Sequence, residues 1–200
     1  MNEKTPAGQR PWSEPSLLFV VIVLVAIATA IVLATAPFTT LFGPSAYALG
    51  GALHGLFGFL LLVVMTIGLY IGWSLFVGRF QAFPDLQLIT TVMATLALLT
   101  IVFGNWIYIG YRATTPESPR SYFLARMPEV HAVFFEFKEY TALFTLPLSV
   151  AAAFTVWRYG RQVLERDWTR TAVAILIALN FFYFVIAFAL GAAVTKLKSI

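Results

Sequence analysis

His54 and His131 are the only histidines in a 200-residue chain that contains no cysteine. Each stands where an apolar run begins. His54 lies in the stretch GGALHGLFGF, and His131 in the stretch RSYFLARMPEVHAVFFEFKEY that runs from Arg120 to Tyr140. A neutral imidazole nitrogen is a natural ligand for haem iron. Ionisable side chains within membrane segments are functional candidates by default. Two imidazoles on separate apolar helices at similar depth therefore point to one haem, with iron held between His54 and His131. Two nitrogens without a thiolate make a poor soft-metal site. The lack of cysteine also removes iron–sulfur clusters, disulfides and c-type haem attachment.

Similar depth follows from the arginines that end these two helices. His54 precedes Arg79 by 25 residues and His131 precedes Arg158 by 27. At a helical rise of 1.5 Å per residue, the offset is about 3 Å. Trp73 and Trp157 as markers give 19 and 26 residues instead, an offset of about 10 Å. The arginines are the stricter ruler, because a guanidinium must reach water while an indole tolerates a range of depths.

Other residues near the histidines fit a haem or have plainer uses. Gly51, Gly55 and Gly58 lie close to one helical face, where they would let a flat macrocycle approach the backbone. Gly51 with Gly55 and Gly68 with Gly72 also form the small-xxx-small spacing of ordinary helix packing. Arg112 and Arg126 are candidates to pair with haem propionates, since guanidinium binds carboxylate in a bidentate fork. The plainer reading pairs the arginines of this loop, Arg120 included, with Glu117 or Glu129. Glu136, Lys138 and Glu139 follow His131 in the same helix. At 100° per residue, Lys138 returns to within about 20° of the His131 face, whereas Glu136 and Glu139 sit about 140° and 80° away. They read as a solvated or partner-facing helix end, or alternatively as a proton path. Asn105 and Asn180, single polar residues in apolar runs, read as interhelical hydrogen bonds, and Pro147 is expected to kink its helix.

These groups must be positioned by membrane-spanning helices. Hydrophobic residues make up 60% of the chain and charged residues 11%, against roughly 25% charged in soluble domains. A bilayer core takes about 20 apolar residues per helix, and five runs qualify. They are about Leu17–Ala36, Gly50–Val77, Leu88–Tyr111, Pro128–Tyr159 and Thr171–Thr195. The expected fold is an all-α integral membrane protein, a bundle of five transmembrane helices over residues 16–200 after a polar tail of residues 1–15. The run ending Ala34-Thr35-Ala36 is too long for the core of a signal peptide and is read as a span. In the tails and loops, lysine and arginine divide seven to five between the two faces, which places the N-terminus in the cytoplasm and the C-terminus outside. The net charge of +4 is thus a topology signal. No basic run with stacking aromatics suggests nucleic acid, and no phosphate loop, HExxH or GxSxG motif suggests an independent enzyme.

With its helix count and the pair His54 and His131, the chain resembles the small multi-helix b-type cytochromes that serve as membrane subunits of respiratory complexes. The resemblance implies a single bis-histidine haem b near the outer face. It also implies electron transfer to other membrane or peripheral redox subunits, and a location in the bacterial inner membrane. Quinone is the small molecule such subunits commonly serve, although no motif marks a site for it. Three other readings are carried forward. They are a cofactor-free structural subunit, a proton or ion conductor using the charges of the fourth span, and a chlorophyll-type ring on one histidine.

Overall fold

The structure, a computed structural model, describes residues 46–197, with side chains from Leu49. The tail and the expected first span lie outside the described residues. Four helices among the described residues are long and apolar enough to cross a membrane. They are α1 (Ala46–Phe76), α2 (Phe83–Tyr111), the run Val130–Tyr159, and α6 (Asp167–Leu197). The third of these is composite. A π-helical turn, Val130–Phe135, leads into α4 (Glu136–Tyr159). Two short helices lie in the connections between spans: α3 (Pro119–Arg126) and α5 (Gln162–Glu165). The described residues are otherwise turns and bends, with no strand.

The ends of these helices have local causes. α1 stops at Gly78, whose φ of 73° suits glycine. There the Gly78 and Arg79 N–H groups donate back to the Leu75 and Ser74 carbonyls, a Schellman closure that uses carbonyls the helix leaves open. α2 begins at Phe83, five residues before the apolar run read from hydropathy, because Pro84 and Asp85 suit a first turn. α3 starts at Ser118, whose hydroxyl accepts from the Ser121 N–H at 3.2 Å, with Pro119 next. α6 starts at Asp167, four residues before the expected boundary. Pro147 lies within α4, which continues to Tyr159.

The four long helices form a ring. α1 packs on α2 and α6, and α4 packs on the same two, so α1 and α4 face each other diagonally. Their shared core holds Leu61, Met65 and Leu75 of α1, Met93 and Ala97 of α2, Ala152 and Val156 of α4, and Val173 and Ile177 of α6. Large side chains such as Phe59, Ile67, Tyr70, Trp106, Phe154 and Phe182 point outward. An apolar exterior of this extent matches a hydrocarbon surround, in which every backbone polar group is paired within its own helix. The chain is thus an all-helical protein with the character of an integral membrane protein.

Tight helix contact is made by the second glycine pair. A Cβ on Gly68 would lie 2.9 Å from Met93 Sδ, and one on Gly72 would lie 3.3 Å from Ile177. These glycines let α1 approach α2 and α6 closely. Asn180, fully buried, donates to Ser149 and ties α6 to α4, the interhelical use expected of it.

Candidate functional site

The first glycine pair has the opposite surroundings. A Cβ on Gly51 or Gly55 would meet nothing within 4 Å. Both border a cavity of about 620 Å³ at one end of the bundle, within the range of roughly 300–1,000 Å³ typical of cofactor and ligand sites. The start of α1, the end of α2, the start of α4 and the end of α6 all contribute to its wall. α1 and α4 therefore run in the same direction. Gly58, Gly104 and Gly191 bring the wall glycines to five. α3 inserts the fully buried Phe123 into a cluster with Tyr111, Phe135 and Val194 at this end.

His54 is on the wall. Its Nδ1 donates to the Thr100 carbonyl at 2.8 Å, which leaves the lone pair on Nε2. Gly104 holds the ring from the side, since a Cβ there would lie 2.9 Å from Cε1 and 3.1 Å from Nδ1. Among the described residues no group hydrogen-bonds Nε2. A metal-binding imidazole is commonly fixed in this way, with one nitrogen tied to a carbonyl and the other free.

His131 is placed differently. It is buried at 5% exposure and does not line the cavity. Its Nδ1 lies 2.9 Å from the Tyr111 hydroxyl, and its Nε2 lies 3.5 Å from Glu136 Oε1. Tyr111 and Phe135, which do line the cavity, stack at 3.9 Å between centroids and both contact the His131 ring. The reason is the π-turn. It holds about one residue more than an α-turn, so His131 is rotated by about a quarter turn from the face it would occupy on an unbroken helix. The expected shared face of His131 and Lys138 is lost. Lys138 and Glu139 line the cavity, and His131 does not.

The arginines proposed for propionates are engaged elsewhere. Arg112 pairs with Glu136 at 2.8 Å and lies over the Tyr108 ring at 4.7 Å. Arg126 lies over the Tyr122 ring at 4.8 Å. Neither borders the cavity. Of the site residues read from sequence, the structure thus gathers His54, Gly55, Gly58, Lys138 and Glu139 around one space. It gathers His131, Glu136 and Arg112 into a second, adjoining cluster, and leaves Arg126 on α3. Sequence reasoning missed Gly104, Tyr108, Tyr111 and Gly191. An isolated glycine inside an apolar helix, as Gly104 is, was the available signal, because such a glycine usually marks a close approach.

The donor set suits a porphyrin on one side. His54 supplies one free nitrogen, and the glycine wall supplies room. Among the described residues no group of three or more acidic, histidine or cysteine side chains forms a conventional metal site. Neither the family models, the curated proteins nor the solved structures give a match to this chain.

Proposed function

We propose that this protein is a membrane-embedded haem electron-transfer subunit in which His54 would hold the haem iron. The observation that carries the reading is His54 itself. Its tautomer is set by the Thr100 carbonyl, and Nε2 is unpartnered among the described residues on the wall of a cofactor-sized cavity. A bound b-type haem would supply an iron that gains and loses one electron. The protein's part is to present Nε2, to leave backbone rather than side chains at Gly51 and Gly55, and to exclude water with Phe184, Phe188 and Leu143. A bis-histidine form would require His131, which does not line the cavity, to turn out of its cluster with Tyr111 and Glu136 so that a ring nitrogen faces the space. As a subunit without its own catalytic constellation, the chain would serve a larger redox complex. The seven-to-five arginine and lysine bias of the connections and termini supports a cytoplasmic N-terminus, and a bacterial inner membrane location is what the resemblance to b-type cytochrome subunits implies.

The test is a visible spectrum, oxidised and dithionite-reduced, of the protein isolated with its native partners, beside His54→Ala and His131→Ala. Sharp reduced α and Soret bands that vanish in His54→Ala are the expected result. Their loss in His131→Ala as well would establish the bis-histidine form. A colourless wild type refutes the haem reading.

A proton-conducting role is the second reading, favoured by one specific arrangement. Glu139 and Tyr111 border the cavity, and Tyr111 leads through His131 to Glu136, whose side chain is 43% exposed. Proteoliposome proton flux that falls in Glu139→Gln and Glu136→Gln but not in His54→Ala would select it.

A further inference from the structure

The sequence reading assigned the acidic edge of a ligand to arginines that the structure has committed elsewhere. The cavity nevertheless holds a cation. Lys138 reaches into it from α4, with its Cε 3.5 Å from where a Cβ on Gly191 of α6 would stand. Its Nζ lies 5.4 Å from the centroid of the Phe135 ring, and its charge also acts on Glu139 and on His54.

No carboxylate among the described residues forms an ion pair with Lys138. Glu136 is taken by Arg112. Glu139 is turned to Tyr108 and acts on Lys138 only at longer range. Lys196, also on the wall, adds a second positive charge. An ammonium within a membrane-spanning helix is costly unless something compensates it. Among the described residues none of the protein's acids closes an ion pair with this one, and only the longer-range attraction of Glu139 offsets its charge.

We propose that Lys138 is the counter-ion for a carboxylate on the molecule that occupies the cavity. The proposal rests on reading this cavity as a ligand site, and a haem propionate is one source of such a group. A free fatty acid is another. Lys138 faces the space from α4 while His54 faces it from the diagonal helix α1, so one occupant would meet a nitrogen ligand and a cation from opposite walls. The lysine stem lies across α6 at Gly191, where a Cβ would stand 3.5 Å from Cε in ordinary van der Waals contact.

The test is a titration of the full-length protein in lipid nanodiscs with iron protoporphyrin IX and, separately, its dimethyl ester, followed at the Soret band. The wild type should bind the diacid at least about tenfold more tightly than the ester, the usual scale of a charge-assisted contact. Lys138→Met should abolish that preference by weakening the diacid alone, and Lys138→Arg should retain it. Equal binding of acid and ester by the wild type overturns the proposal, even if Lys138→Met cannot be recovered folded. So does a Lys138→Met protein that keeps the preference or weakens both porphyrins alike. If neither porphyrin binds the wild type, the haem reading fails and a second probe decides this one. cis-Parinaric acid bound in preference to its methyl ester, with a preference lost in Lys138→Met, upholds the carboxylate site. Binding that ignores both the ester and the lysine overturns it.

Discussion

Adding one methyl group at Gly104 should dislodge His54. A Cβ there falls 2.9 Å from Cε1 and 3.1 Å from Nδ1, against a carbon–carbon optimum of about 3.5–4.0 Å. The deficit is at least about 0.6 Å. The neighbour is a flat ring held by a 2.8 Å bond to the Thr100 carbonyl, so relief means breaking that bond or separating α1 from α2. Overpacking of this kind costs about 1–3 kcal/mol. Alanine also gains up to about 1 kcal/mol over glycine in a helix, so the proper reference is Gly51→Ala, where the new methyl meets nothing. The difference between the two variants isolates the clash. In a chain of this size it should lower the thermal midpoint of Gly104→Ala by about 2–12 °C relative to Gly51→Ala. The same measurement in a His54→Ala background completes a double-mutant cycle, and there the penalty should disappear. A penalty of full size without the imidazole would refute the claim that Gly104 exists to seat His54. So would equal midpoints for the two single variants.

Tyr111→Phe removes the hydroxyl partner of the buried His131 Nδ1 while keeping the stack on Phe135. It should destabilise the protein by about 1–3 kcal/mol, the cost of a buried polar atom left unpaired, and recovery of wild-type unfolding would show that His131 finds another partner. Asn180→Leu breaks the bond to Ser149 but also removes an amide oxygen that is buried without a partner. Because interhelical hydrogen bonds in membranes are worth only about 0.6 kcal/mol on average, its thermal midpoint should stay within a few degrees of wild type. A collapse of folding would mean that Asn180 holds something beyond Ser149.

The sequence alone determined the class of this protein. Apolar runs of the right length force helices in hydrocarbon, whatever their neighbours, and four of the five expected spans fall within the described residues and are helices there. Two of their boundaries shifted by a few residues where Pro84 and Asp167 carry a helix beyond its apolar portion. The prominence of His54 was also legible, because a lone imidazole beside glycines is unusual in any apolar helix. The neighbours of each glycine were not legible. Gly51–Gly55 and Gly68–Gly72 share one spacing, yet the first pair opens on a cavity and the second is pressed against Met93 and Ile177. Spacing fixes a face of a helix, and only the packing of the other three helices decides whether that face meets a side chain or a void. The fate of His131 was hidden for a related reason. Its direction was counted at 100° per residue, and the π-turn from Val130 to Phe135 breaks that count. One wider turn took His131 off the cavity wall while Lys138 and Glu139 remained on it, and no periodicity in the sequence announces where a helix will take such a turn.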